Sequence, residues 1–494
     1  MEQKRLGIPT YFLPLIFTTI LFVIMTSGGI ISNDFLWHVK IGEWITENFK
    51  VPTYGVFSWV AQEFDLYWTS HEWLGEVMLY YLNLYCGDVG VYLLCLFSGL
   101  TIIFFVTKIN RKYFSTNVIF TAVFFVTLPI ILKVFNIPRP QLFSSLFFFA
   151  VLGILYKYVE KDTKWIWAIP GITLLWSNIH GGMATLCYIS LFIFLIATFK
   201  DFTIGRVSCT AIGKKRWLKL LLVTGLSIVA ICLNPNGFKT ISFVFSHMGD
   251  ARVMATVTEW FSPDIKQLNS LICAIPIGVC CISMISTKKK IEAHDLLMFV
   301  AMAFLFLRSA RFSYYFTISM AFYYFKYMPG FMSDSKIVKS IKNVYVPLTI
   351  VLSIACIGLF AVNFESSAKI KDRVLSDEAL DAIEALDAER AYNFYDLGGE
   401  LIYYGYDVFM DGRADMYQGE VFNDYYYMIK SLNDYEKTEK LMEKYQFDAF
   451  LCIPEEPLNL YLQMTEGYSI YYEDENIRIW VPIESETEIT DLVE

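Results

Sequence analysis

SNDFLWHVKIGEWI, residues 32–45, follows at once on residues 9–31, an apolar run without a single charge. A helix rises ~1.5 Å per residue and the hydrocarbon of a bilayer is ~30 Å thick, so roughly 20 apolar residues suffice to cross it. The run is too long for the apolar part of a signal peptide, and no small-x-small cleavage site precedes Ser32. Lys4 and Arg5 therefore head a retained helix. The chain then leaves the membrane and presents Asp34, His38 and Glu43 beside Trp37 and Trp44. What those groups do depends on the side of the bilayer they face and on what else collects there.

The rest of the chain supplies the frame. Its 494 residues are 55% hydrophobic and 18% charged, with a mean hydropathy of +0.45, too few charges to clothe a soluble protein of this size. Further apolar runs lie at about 88–107, 117–134, 141–156, 165–179, 183–199, 218–233, 268–286, 295–307, 312–325 and 344–363, which makes eleven. The shorter ones, 165–179, 295–307 and 312–325, suit tilted helices or helices buried behind their neighbours. Cytoplasmic loops collect Lys and Arg. With the N-terminus inside, the inner segments hold 21 basic residues and the outer loops between helices hold eight.

Eleven spans place residues 364–494 outside. That tail holds 31 of the 49 acidic residues against ten basic ones, which accounts for the net charge of −9 and argues against a nucleic-acid partner. Ser376 followed by two acids opens a helix over 376–386. AYNFY, DVFMD and FDAFLCIP read as strands, GGELIYYG, EVFNDYYYMIKSL and YEKTEKLMEKY as helices, and YSIYYEDENIRIWVPI as a hairpin turning near Glu475-Asn476. The expected fold is thus an α-helical polytopic membrane protein of about eleven transmembrane helices, residues 1–363, with a long first outer loop, 32–87. A small extracytoplasmic α/β domain, 364–494, follows. The ten cysteines show no CxxC or other metal spacing, so neither a disulfide framework nor a zinc site is expected from them.

Within the first outer loop, residues 34–49 carry Phe35, Trp37, Ile41, Trp44, Ile45 and Phe49 at helical spacing, as in an amphipathic helix lying in the outer interface. Asp34, His38, His71, Glu72, Glu76, Arg139, Asn178, His180, Asn234, Glu259, Arg308 and Arg311 all fall on the outer side. Several sit in short loops, NIPRPQ, SNIHGG, NPNG and RSARF. An ionisable group at mid-bilayer costs about 2.5–3.5 kcal/mol on insertion scales, so such groups at helix ends usually border water or a ligand. Each has an ordinary alternative. Asn33 or Asp34 can cap a helix, arginines can reach headgroups, HGG and NPNG can be turn chemistry, and Asp411 with Arg413 in DGRAD can be an ion pair fixing a turn. Their coincidence on one face is what favours a site.

NDFLWH with Asp34, the loop through HEWLGE, and the short outer loops NIPRPQ, SNIHGG and NPNG together resemble the GT-C-fold membrane glycosyltransferases, in particular bacterial members that use polyprenyl-phosphate sugars. The tail segment YDLGGELIYYGYDVFMDGRADMY, 395–417, is loosely similar to the WWDYG region of oligosaccharyltransferases. Many members carry two adjacent acids in the first loop where this chain has Asn33-Asp34, and the WWDYG tryptophans are replaced by Tyr395-Asp396-Leu397-Gly398-Gly399. This points to sugar transfer in general rather than to peptide-asparagine glycosylation.

The resemblance implies transfer of a hexosyl or pentosyl group, with inversion, from a polyprenyl-phosphate donor to a lipid, glycan or protein acceptor at the extracytoplasmic face of the cell membrane. It implies Asp34, His38, His71 and Glu72 as catalytic residues, with Arg139, Arg308 and Arg311 binding the donor phosphate. Trp37, Asn178, His180, Asn234, Asp411 and Arg413 are then substrate-binding residues, and a divalent cation, Mg or Mn, is a candidate cofactor held by Asp34 with His38, His71 or Glu72. A transporter or lipid flippase is the rival reading, and would place acids at mid-membrane in paired halves. A non-catalytic GT-C-like scaffold is the third.

Overall fold

Long stretches of Leu, Ile, Phe and Val favour helices, and in a computed structural model of the chain most of the described residues in the apolar runs are helical, Pro129 and Pro276 included within helices. The described residues are 12–27, 32, 34–113, 118–240, 261–264, 266–328, 351, 354, 358, 373–417, 419–430 and 435–483. Asn33, Glu259, most of the loop between Thr240 and Phe261, the inner basic residues 336–342 and nearly all of the run 344–363 lie outside them. The described residues divide into two compact units, one drawn from 12–27, 85–240 and 261–358, the other from 32–84 and 373–483.

The first unit contains the helices Phe12–Thr26, Val118–Phe135, Gln141–Glu160, Ala168–Ile179, Thr185–Ala197, Lys214–Ile231, Leu268–Ser286, Ala293–Arg308 and Ser313–Met320. It also holds the part of Trp73–Asn110 that follows Gly87, whose backbone departs from helical geometry. Several hydroxyls inside these helices return to their own backbone. Thr173 donates to the Ile169 carbonyl at 2.9 Å and Thr224 to that of Leu220 at 2.9 Å, which satisfies polar atoms where no water reaches. Among the described residues, two helices, Trp73–Tyr113 and Gln141–Glu160, are long and apolar enough to cross a membrane by length and composition. In the first of them the continuous apolar stretch is the part beyond Gly87. The run 312–325 does not form one long helix. Ser313–Met320 is eight residues, all buried, and a 3₁₀ turn at Tyr324–Lys326 follows, so this piece packs inside the bundle at ~1.5 Å per residue rather than crossing ~30 Å. The basic segment after Lys200 forms part of a small sheet: Phe202–Ile204 pairs antiparallel with Val207–Cys209, which pairs parallel with Ile291–Glu292.

The second unit is built on a four-stranded sheet in the order Ala391–Asn393, Ala449–Cys452, Arg478–Pro482, Tyr468–Glu473, with the first pair parallel and the others antiparallel. Helices Asp377–Leu386, Gly398–Tyr404, Glu420–Met428, Tyr435–Tyr445 and Pro457–Met464 accompany it. Ser376 caps the first of these as its sequence requires, its Oγ accepting from the Ala379 N–H at 3.1 Å. DVFMD is not a strand. Val408 makes one isolated bridge to Ser58, and the amide of Asn393 takes over the remaining pairing by accepting from the N–H groups of Phe409 and Met410 and donating to the Met410 carbonyl. A side chain thereby replaces a partner strand. Trp37, Ile41, Ile45, Trp59 and Trp68 share one hydrophobic core with Tyr392, Phe409, Tyr425 and Trp480. The amphipathic helix, observed as Phe35–Asn48, accordingly turns its apolar face to protein and not to a lipid interface. An apolar stripe specifies burial but not the partner that provides it.

Candidate functional site

Asp34 precedes the helix Phe35–Asn48, where an N-cap would sit, but its side chain makes no capping hydrogen bond. The carboxylate lies instead against the loop Asp411–Arg413, close enough that a Cβ on Gly412 would overlap its Oδ1 and the indole Nε1 of Trp37. One turn on, His38 is buried, with its ring on that of Trp37 at a centroid distance of 3.6 Å. Its Nε2 stands 3.9 Å from Glu72 and its Nδ1 3.5 Å from Glu76. Glu72 and Glu76 share a helical face one turn apart, the Glu76 N–H donating to the Glu72 carbonyl at 3.0 Å. Ligand atoms of His38, Glu72 and Glu76 all lie within 4.8 Å of one another. His71 borders this group: its Nδ1 is 3.1 Å from the Thr69 carbonyl and its Nε2 3.9 Å from Glu72.

The helices that carry these groups meet at Gly42. A Cβ there would overlap the carbonyl of Glu76, so no other residue lets the two backbones approach this closely. Burial pushes the carboxyl of Glu76 well above its ordinary range, and the neighbouring charge of Glu72 adds to the effect, while Arg413 opposes it.

Arg413 and Asp411 are buried and face each other. The guanidinium donates through Nε and Nη2 to the two Asp411 oxygens at 2.8 and 2.6 Å, and through Nη1 to the Val56 carbonyl at 2.8 Å. Its Cζ lies 5.0 Å from the centroid of the Trp68 ring, and the backbone N–H of Arg413 and the hydroxyl of Tyr417 also donate to Asp411. Burial disfavours the charge of Arg413, but the Asp411 carboxylate outweighs it and holds the guanidinium above its ordinary value. The pair is thus the turn-fixing arrangement and not an open binding surface, a correction to the expected substrate-binding role. Trp37 is corrected likewise: at 4% exposure its ring packs inside the protein and offers no stacking face.

The remaining expected residues belong to the first unit. The Nη2 of Arg311 donates to Gln141 Oε1 at 2.9 Å, Arg139 is half-buried, and Arg308 is exposed at the end of its helix. His180 Nδ1 is 2.8 Å from the Ser144 hydroxyl, which also accepts from the Trp176 indole at 2.7 Å. Asn178 donates to the Leu174 carbonyl at 2.8 Å and that of Leu233 at 3.1 Å, tying two helix ends together. Asn234 closes its own turn, its Oδ1 accepting from the Asn236 N–H at 2.8 Å and the Thr240 hydroxyl at 2.9 Å. Sequence reasoning named Glu76 but gave it no role. Its spacing of four from Glu72 was the available signal.

No protein-family model and no curated protein matches the sequence. In fold, the chain is similar to the oligosaccharyltransferase of Archaeoglobus fulgidus. The apo crystal structure of that enzyme aligns with a TM-score of 0.52 at 12% identity, over 89% of this chain and 69% of the other. A structure of the archaeal oligosaccharyltransferase AglB in complex with an inhibitory peptide and a dolichol-phosphate aligns with a TM-score of 0.52 at 12% identity, over 94% and 73%. A complex with Zn and sulfate aligns with a TM-score of 0.51 at 11% identity, over 95% and 73%. The likeness supports a mostly helical GT-C fold with a small β region. It falls on an archaeal oligosaccharyltransferase and gives no support to the bacterial polyprenyl-phosphate-sugar type that the sequence resembles.

Proposed function

We propose that the chain is a multi-pass membrane glycosyltransferase. It transfers a hexosyl or pentosyl group from a polyprenyl-phosphate or dolichol-phosphate carrier to an acceptor on the extracytoplasmic side, with its N-terminus in the cytoplasm. The reading is supported above all by Asp34, an acid directly after the first apolar helix whose side chain makes no N-cap hydrogen bond and whose carboxylate lies against the Gly412 loop, one helical turn before the buried His38. The GT-C-like fold adds to it, since the archaeal neighbour was solved with a dolichol-phosphate and a peptide. A peptide is accordingly one acceptor class to test beside a lipid and a glycan.

In the step itself, Asp34 takes the proton of the acceptor nucleophile. The bond from that nucleophile to the anomeric carbon forms as the bond from the anomeric carbon to the phosphate oxygen breaks, and the electron pair leaves with the lipid phosphate. A single displacement inverts the anomeric centre. Arg139, Arg308 and Arg311 carry the proposed phosphate-binding role, because a guanidinium forms charge-assisted hydrogen bonds with a phosphate leaving group. His38 and Glu72 hold the polar cluster beside the base, and a divalent cation bound there would offset developing negative charge.

The test is purified protein incubated with a panel of lipid-phosphate sugars and acceptors, beside Asp34→Asn, with released carrier lipid as the readout. Release by the wild type and its loss in Asp34→Asn is expected. Equal turnover by Asp34→Asn would overturn the role of that residue, and no release from any donor would favour a scaffold.

A further inference from the structure

The small sheet of the first unit lies at the end that the proposed topology places inside, away from the transfer step. Gly205, at φ 60°, opens the two-residue turn that joins Phe202–Ile204 to Val207–Cys209. Directly opposite residues of an antiparallel pair share a face, so Phe202 and Ile204 lie on the side of Cys209 and Val207. That side packs on Ala197 and Ala293, the last residue of one apolar helix and the first of another. The face that carries Phe202 and Ile204 therefore turns towards the helix ends and not out to the cytoplasm. Cys209 is covered there, but Phe202–Ile204 is the edge strand, and Phe202 and Ile204 are 47% and 72% exposed. The hairpin is held in this attitude by Arg206, which donates to the Ile285 carbonyl at 2.6 Å and to that of Thr287 at the end of the helix Leu268–Ser286.

The charge around these two side chains has one sign. Residues 199–219 and 287–292 carry nine basic residues and two acids. Both acids are committed within the sheet: Asp201 accepts from the Ala211 N–H at 2.8 Å, and Glu292 from the Thr210 hydroxyl at 3.1 Å. The Ile212 N–H donates to the Thr198 carbonyl at 3.3 Å, which brings Lys200, Lys214 and Lys215, all exposed, to the same end of the hairpin. Lys214 and Lys215 open the helix Lys214–Ile231, where a cation is disfavoured by the helix dipole, so helix stability does not account for them.

We propose that this hairpin docks on anionic phospholipid of the inner leaflet. Phe202 and Ile204 enter the boundary between headgroups and acyl chains, and Lys200, Lys214 and Lys215 take the headgroup phosphates. The apolar pair alone would suit any bilayer; the surplus of cations selects anionic lipid. A soluble protein partner would approach from the cytoplasm, on the side away from Phe202 and Ile204. The proposal goes beyond the transfer reading and rests only on its membrane orientation, with the N-terminus inside.

The experiment uses full-length protein with a photo-crosslinking residue in place of Ile204, reconstituted into liposomes of phosphatidylcholine alone or mixed with phosphatidylglycerol. Mass spectrometry of the digested protein identifies what position 204 captures. A lipid adduct is expected, with phosphatidylglycerol exceeding its share of the bilayer by at least about fivefold. Lys214→Gln combined with Lys215→Gln, both at exposed positions, should return phosphatidylglycerol towards its share, and raised salt should do the same. Lys266→Gln, at an exposed position expected on the outer side, should leave the enrichment unchanged. No lipid adduct, capture in bilayer proportion, or undiminished enrichment in the double variant would overturn the proposal. A crosslink between two copies of the chain would overturn it in favour of self-association. Protein that does not float with the liposomes would overturn the membrane reading itself, whereas floating protein that captures no lipid at position 204 would overturn the hairpin's role alone.

Discussion

The Cα of Gly412 lies so close to the carboxylate of Asp34 that a single added carbon would collide with Oδ1. The loop of the C-terminal segment thus forms one wall of the position where the proposed base sits. The obstructing atoms are the Asp34 carboxylate oxygen, which can rotate, and the indole nitrogen of the buried Trp37, which has less room, so Gly412→Ala should fold with a loss of about 1–3 kcal/mol. It should also move the carboxylate, and a misplacement near 1 Å costs roughly a hundredfold in rate. Carrier-lipid release measured beside thermal unfolding checks this. Full activity in Gly412→Ala would mean that the position of Asp34 is immaterial.

The Asp411–Arg413 pair has its hydrogen bonds satisfied within the protein, so breaking it strands a buried charge. Asp411→Asn or Arg413→Met should each cost about 3–5 kcal/mol, while the double change Asp411→Leu with Arg413→Met should recover much of that loss. A double-mutant cycle in chemical or thermal unfolding measures the coupling. Losses that simply add would show that the pair does not act as a unit.

Gly42→Ala attacks the site from another side. Here the clash is with the backbone carbonyl of Glu76 and the Cβ of Tyr80, which cannot swing away, so the two segments must separate. The expected result is lower stability by about 1–3 kcal/mol together with a loss of carrier-lipid release, because His38 and Glu72 move apart with the two segments. Thermal unfolding and release measured on the same preparation check this, and a variant as stable as wild type would show that the segments do not need this close approach.

Stability should also depend on pH through Glu456. Burial pushes its carboxyl from 4.5 to about 7, against hydrogen bonds from Tyr392, Cys452 and the backbone that pull the other way. The folded form therefore keeps the proton over a range in which the unfolded chain releases it. The full contribution is present below about pH 4.5, is lost progressively as pH rises to about 7, and does not change further above that. The slope is about 1.4 kcal/mol per pH unit, roughly 3 kcal/mol in all. Glu456→Gln should flatten this part of the profile. A difference curve of wild type minus variant with no slope between pH 5 and 7 would count against it.

The helices of the first unit were legible because apolar runs admit little else, and Ser376 and the hairpin closing through Asp474 announced themselves by local chemistry. What was hidden depends on contacts between distant segments. DVFMD has strand composition, but Asn393 satisfies its backbone, and no period in the sequence reports a side chain standing in for a strand. Helix Pro457–Met464 carried its mark in the proline of its first turn and went unread. Trp37 and Trp44 suited a membrane belt as well as a protein core, and only the tail that buries Trp37 decides between the two. Asp34 and His38 could be picked out by position. Glu76 looked like one more acid on a helix until its neighbours were in place.

The shared core of the second unit has a bearing on synthesis. A ribosome adds roughly 5–20 residues per second, so the acid at position 34 emerges tens of seconds before the Gly412 loop that seats it. Until then Trp37, Ile41 and Ile45 have no finished surface to cover them. Unfinished copies would carry the base and lack its mount, and a chain stopped short of Asp411 should insert yet release no carrier lipid. Completion of the polypeptide would then act as the switch that arms it, keeping a newborn enzyme silent while its own C-terminal part is still being made.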